Sequence, residues 1–209
     1  LAVVALGYNA QAQDQEFGFK EGDVILEGNV SFNSSNDKNT DVKENSFNFA
    51  PKAGLFVSDK FAVGVQLGIG TDKTKAGSTV TSKQNDMFIG AFGRYYFLEL
   101  GRRFKTYTEV GLGYASSKTE TAGVKNPDVT GFSAGAGLGI NYFVTPKIAV
   151  NFGLSDVLSY RSGKVKGGEN VSEFDGNINV FNNFFDAATL LGFGIFFDCK
   201  LPIEEEIWA

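Results

Sequence analysis

Four charged residues stand apart from the rest of the charge in this 209-residue chain. Glu27, Lys52, Arg94 and Glu109 each fall inside a run in which apolar residues alternate with small or polar ones, on the small-residue face. Two acids and two bases crowded onto one enclosed face would pair, because an isolated charge away from water is prohibitively costly. Two kinds of chemistry follow. One is a structural ion network that fills an interior and fixes the register of its walls; the other is a gate on a narrow ion path.

Little else in the chain could do chemistry. It has no His, so the side chain that most often serves as general base near neutral pH is missing. Its single cysteine, Cys199, can form no internal disulfide and cannot nucleate a thiolate metal site. No P-loop and no zinc-ligand spacing is present, so neither a cofactor nor a metal is expected. Gly111-Leu112-Gly113 and Gly135-Ala136-Gly137-Leu138-Gly139 lie within strand-like runs, where close packing explains them better than nucleotide binding. Asp72, Asp128 and Glu169 match no calcium-loop spacing and read as solvated charge. The net charge of -5 argues against nucleic acid as a partner.

The elements that must position the four charges are strands. Val24, Leu26, Gly28, Val30 and Phe32 alternate with Glu27, Asn29, Ser31 and Asn33; Phe61, Val63, Val65, Leu67 and Ile69 alternate with Ala62, Gly64, Gln66, Gly68 and Gly70. Period-two alternation over about ten residues is the pattern of a strand with two unlike faces. Further runs at 47–57, 87–97, 106–116, 132–142, 148–158 and 185–201 bring the expected count to eight. The breaks between them alternate in length. Polar stretches at 34–44, 71–84, 117–129 and 159–183 predict long solvated loops, whereas Ser58-Asp59-Lys60, residues 98–105 and Thr145-Pro146-Lys147 predict shorter connections.

Long loops alternating with short turns are the signature of an eight-stranded antiparallel up-and-down transmembrane β-barrel of the outer membrane. A soluble barrel would also alternate, but its water-facing side would be rich in Lys, Glu, Asp and Thr. Here the second face is rich in Gly, with Gln66, Asn141 and Asn151, which suits the narrow interior of a small barrel. The apolar face is then the lipid face. Phe56, Phe61, Tyr95, Phe97, Tyr107, Tyr142 and Phe197 all lie near the short-turn ends, where a periplasmic aromatic girdle is expected; ordinary core packing is the alternative for any one of them.

The ends of the chain add to this. Leu1 to Leu6 is apolar, and Ala10-Gln11-Ala12 has the form of an A-x-A cleavage site. Residues 1–12 therefore read as the remainder of a signal peptide, with a buried N-terminal strand as the alternative. Residues 13–201 form the expected barrel, with both termini in the periplasm. Pro202 should end the last strand, leaving residues 202–209 as a short acidic periplasmic tail, either inert or a docking element.

The run Phe88-Ile89-Gly90-Ala91-Phe92-Gly93-Arg94-Tyr95-Tyr96-Phe97, with the Gly-alternating strands around it, resembles the small outer-membrane β-barrel proteins common in the Bacteroidota. These belong to the wider group that includes the OmpX and OmpA transmembrane barrels. The resemblance spans about residues 22–201 and implies the fold more firmly than the function. Barrels of the group usually end on an aromatic residue of the last strand; here Phe197 is followed by twelve further residues. Barrels that act as acyltransferases, deacylases or proteases place a His beside Ser, Asp or Glu, and this chain has none. Three non-enzymatic roles remain: a structural or interaction barrel of the envelope, an accessory subunit of a larger outer-membrane complex, and a narrow channel for small solutes. Outer-membrane lipids, and in the second case other outer-membrane proteins, are the expected partners.

Overall fold

The computed structural model describes residues 17–177 and 191–197, with residues 154–156 and 191–197 described through their backbone alone. Ten strands form one antiparallel sheet: β1 (Val24–Asp37), β2 (Val42–Ser58), β3 (Phe61–Ala76), β4 (Thr79–Leu100), β5 (Phe104–Thr121), β6 (Val124–Lys125), β7 (Val129–Thr145), β8 (Ile148–Val165), β9 (Asn170–Gly176) and β10 (Leu191–Phe197). Each long strand pairs with its neighbour in sequence, and β10 pairs with both β8 and β1, which closes the sheet into a barrel. The two-residue β6 pairs only with β5, and β9 and β10 pair with successive stretches of β8. Ten segments therefore occupy eight positions around the wall, and the expected up-and-down barrel stands.

Parity divides the wall as the alternation implied. Val63, Val65, Leu67 and Ile69 of β3 face outward and exposed, as do Ile89 of β4 and Val110 and Leu112 of β5. Their neighbours in sequence line the lumen. On β2 the outward apolar run extends from Phe47 to Val57. Ten residues at about 3.4 Å each, tilted by about 40°, give a band roughly 26 Å tall, close to the apolar band of a membrane barrel.

Interior glycines make room for interior rings. A Cβ on Gly139 would lie 2.2 Å from the Tyr107 ring, and one on Gly113 would lie 2.3 Å from the ring of Phe88. Both glycines face a large aromatic on the adjacent strand, so the small-residue face is shaped around a few bulky side chains.

The four polar stretches expected as long loops are in large part strand. The β1–β2 ladder continues to Asp37↔Val42, the β3–β4 ladder to Ala76↔Thr79, and β5 runs on to Thr121. Within 159–183, β8 continues to Val165 and β9 follows. The physical reason is that period-two alternation appears only where one face is apolar. Beyond the apolar band both faces meet water, the alternation vanishes, and the backbone ladder goes on with Ser, Thr and Asn pairs such as Ser34↔Asn45. Turns close these extensions tightly. Gly77, at φ 60°, closes β3–β4, while Ala122 and Gly123, at φ 50° and 80°, form the two-residue β5–β6 turn. The expected last strand, 185–201, is described only over Leu191–Phe197.

Candidate functional site

The lumen is built in layers. At the short-turn end, Phe19 enters the mouth of the barrel from the segment before β1. Its ring stacks on Phe56 at 4.3 Å and meets Tyr96 at 4.4 Å and Phe143 at 5.3 Å. The segment is held by backbone bonds: Gly22 N–H donates to the Phe56 carbonyl, and Phe56 N–H to the Asp23 carbonyl, both at 2.8 Å. Ile25, Ala62, Tyr107 and Ala149 complete this buried cluster. Phe17 packs on Phe143 with the Arg103 guanidinium 4.8 Å above its ring.

The ion layer lies directly on this aromatic floor. Arg94 is 1% exposed and is the largest of the fully buried side chains among the described residues. It holds Glu27 in a bidentate pair, Nη1 to Oε1 at 2.6 Å and Nη2 to Oε2 at 2.7 Å, and Glu109 through Nε and Nη2 at 2.8 and 2.6 Å from Oε2. Lys52 donates to the other oxygen of Glu109. Two positive and two negative charges thus cancel within one layer, and register explains why they meet: Glu27 is the cross-strand partner of Lys52, and Arg94 of Glu109. The fork of Arg94 reaches across the lumen to join the two pairs, a geometry that suits a planar guanidinium.

Aromatic and amide groups secure the layer from both sides. The Arg94 guanidinium lies 4.1 Å above the Tyr107 ring, and the Lys52 ammonium 4.6 Å from that of Phe92. Tyr107 donates to Asn151 at 2.6 Å, and Tyr96, which accepts from Arg94, donates to Asn141 at 3.1 Å. The Nδ2 of Asn141 is buried and has no acceptor among the described residues.

Above the ion layer the lumen widens. Two cavities of about 450 and 880 Å³ open toward the hairpin end, lined by Asn29, Gln66, Ser133 and Arg161 in the first and by Ser31, Asn48 and Asp86 in the second. Among the described residues no group of three His, Cys, Asp or Glu converges as a metal site.

The proposed aromatic girdle needs correction. Phe61, Tyr95 and Phe97 face outward and exposed, and Tyr142 packs at a tilt against Phe104, with ring centroids 4.8 Å apart, on the same side of the wall. Phe56 and Tyr107, at 1% and 4% exposure, point into the lumen. Strand parity is the reason: Phe56 shares parity with Lys52 and Tyr107 with Glu109, so a position near the strand end does not make them outward. The side chain of Phe197 lies outside the described residues, as do residues 1–16 and 198–209.

Three features escaped the sequence reading. The first is the Phe17–Phe19 insert, whose only signal is a Phe-Gly-Phe spacing just before β1. The second is an aromatic row at the other end of the band, with Phe32 paired to Phe47, Tyr114 to Phe132, and Tyr160 to Phe174. All six are exposed, Phe32 by 84%. The third is Gly131-Phe132-Ser133-Ala134-Gly135, which has the letters of a hydrolase nucleophile elbow. That elbow needs a sharp strand-to-helix turn. Here the five residues run straight through β7, with Ser133 paired to Arg161 of β8.

The chain matches the outer membrane protein beta-barrel domain family over residues 1–186. It belongs to that family. The apolar band, with aromatic rows at both ends, is accordingly the lipid-facing surface of an outer-membrane barrel. Among solved structures, this barrel is similar to the outer membrane protein OprG from Pseudomonas aeruginosa, at 15% identity over 87% of this chain and 99% of that one, with a TM-score of 0.46. It is similar to Neisserial surface protein A at 17% identity, over 86% and 98% of the two chains, with a TM-score of 0.43. The attachment invasion locus protein of Yersinia pestis matches at 16% identity over 85% and 99%, with a TM-score of 0.44. No curated protein matches the sequence.

Proposed function

We propose that this outer-membrane barrel has a non-enzymatic, structural or interaction role in the envelope, and that its lumen is plugged rather than conducting. The single observation that carries the reading is Arg94, buried and shared between Glu27 and Glu109 directly above the aromatic floor. A permeating ion would have to part a charge-balanced cluster and then pass stacked rings that offer it no ligands. Removing either partner from such a cluster leaves an uncompensated charge, so the closed arrangement is strongly favoured. The hairpin extensions face the exterior in this reading and the termini the periplasm. The lack of His speaks against the acid–base chemistry of known barrel enzymes. The resemblance of residues 88–97 supports placing the protein among the Bacteroidota barrels.

Planar-bilayer recording tests the plug. Purified wild-type protein is expected to give no current steps, and the double variant Arg94→Ala with Phe19→Ala to give small ones. Regular steps from wild type would sink the reading and favour the alternative, a narrow channel for small solutes, for which the open cavities above the ion layer speak.

A further inference from the structure

The outward face beyond the upper aromatic row carries an arrangement that costs the protein stability by itself. Lys73 of β3 lies directly opposite Lys83 of β4, and Lys43 of β2 directly opposite Lys75 of β3. Like charges facing each other across a ladder are destabilising. Lys118 of β5 adds a fifth cation, opposite Asn85 one row nearer the band. Parity puts all five on the lipid side: Lys43 precedes Phe47 by four residues, Lys73 and Lys75 follow Ile69 by even steps, Lys83 precedes Met87 by four, and Lys118 follows Tyr114 by four. Glu120, opposite Lys83, is the one carboxylate in those rows. None of the five lysines makes an ion pair among the described residues.

Height decides what could answer this charge. Lys43, Lys73, Lys83 and Lys118 stand four residues beyond the last large apolar side chain of their strand, about 13 Å along it and roughly 10 Å above the hydrocarbon edge once the tilt is included, and Lys75 stands two residues higher. A lysine stem bends back along an apolar surface and sets its ammonium at the headgroup layer. A chain of net charge -5 has therefore gathered five cations on one side of its wall, four at the depth of lipid phosphates and Lys75 just above them.

We propose that Lys43, Lys73, Lys75, Lys83 and Lys118 form a binding site for a membrane lipid whose headgroup carries phosphate monoesters. The acyl chains of that lipid lie on the β2–β5 face of the apolar band. The lipid supplies the negative charge that the opposed lysine pairs lack, and its chains continue the contact downward over Ile69, Met87 and Tyr114. The site depends on the barrel's being embedded in a membrane, not on which leaflet the hairpins face.

Thermal unfolding of the full chain in mild detergent, with diphosphoryl lipid A, phosphatidylcholine or inorganic phosphate added, tests this. The midpoint is expected to rise with diphosphoryl lipid A and not with the other two. In Lys73→Gln/Lys75→Gln/Lys83→Gln, the lipid concentration needed is expected to increase roughly 100-fold, since each lysine at an anionic surface contributes about a factor of five. The same triple variant without lipid should unfold at or above the wild-type midpoint, because the opposed charges are gone. Lys164→Gln, four residues beyond outward Tyr160 on the far side of the barrel, should respond like wild type. No response in wild type, an unchanged response in the triple variant, an equal loss in Lys164→Gln, or an equal rise with inorganic phosphate would each overturn the site. Surface labelling of a cysteine placed at Gly123 reads the orientation separately.

Discussion

The two ends of this barrel solve opposite problems with the same strands. At the short-turn end the lumen is filled: Phe19, Phe56, Tyr96 and Phe143 stack beneath the layer of Glu27, Lys52, Arg94 and Glu109. At the hairpin end the lumen widens into open cavities, and the ladders run on with both faces in water. One end is therefore stabilised mainly by side chains meeting across the interior, and the other by hydrogen bonds along the backbone. Substitutions at the two ends should differ in cost accordingly.

The largest expected effect is at the filled end. Arg94→Ala strands Glu27 and Glu109 without their shared cation, which should lower stability by about 3–5 kcal/mol. Urea unfolding of the barrel in lipid vesicles measures this. A loss under 1 kcal/mol would mean that water enters the layer freely and that the ends are less different than their packing implies. Phe19→Ala comes next, with an expected loss of about 3 kcal/mol from the emptied space among Phe56, Tyr96 and Phe143. Because Phe19 lies outside the sheet, proteolysis near Gly18 should accelerate in this variant while the β-sheet circular dichroism stays unchanged.

Gly139→Ala probes the wall between the layers. Its new methyl would meet the Tyr107 ring, and the ring can move only by loosening its contact with Arg94 and its hydrogen bond to Asn151. Overpacking of this kind costs about 1–3 kcal/mol. Pairing the substitution with Tyr107→Phe, which frees the ring from Asn151, should recover part of the loss in the same unfolding assay.

The smallest effect belongs to the open end. The Asn39 N–H and the Thr40 hydroxyl both donate to Asp37 at 2.8 Å and hold its carboxyl below its ordinary value. A carboxylate with a lowered folded pKa contributes stability above its unfolded pKa and loses it as pH falls through the folded one. Amide exchange at the β1–β2 turn, compared between wild type and Asp37→Asn, should differ near neutral pH. The two should converge in strong acid, with global stability unmoved throughout.

The same contrast explains what could be read from the sequence. The ion layer was legible because Glu27, Lys52, Arg94 and Glu109 interrupt a small-residue face inside strict alternation, and parity alone puts them on one side. The strand extensions were not legible, since a ladder such as Asn45↔Lys73↔Lys83 has no apolar face to generate a period. Phe56 and Tyr107 lie close to strand ends, as a girdle would, but their parity with Lys52 and Glu109 turns them into the lumen. Phe19 was missed for a different reason: it packs through long-range contacts from a segment with no regular structure.

The hairpin extensions also bear on how the chain reaches this state. A slip of one residue in any pairing would exchange the lipid face for the lumen face along a whole strand. The turn at Gly77 joins residues close in sequence, so the rungs below it, from Ala76↔Thr79 toward Thr71↔Asn85, close only short loops. Rungs at the turn end share one register with the apolar halves of β3 and β4, as the first teeth of a zip share theirs with the last. An alignment that is right at the tip is therefore right in the bilayer, where correcting an error would mean drawing charged side chains back through oil.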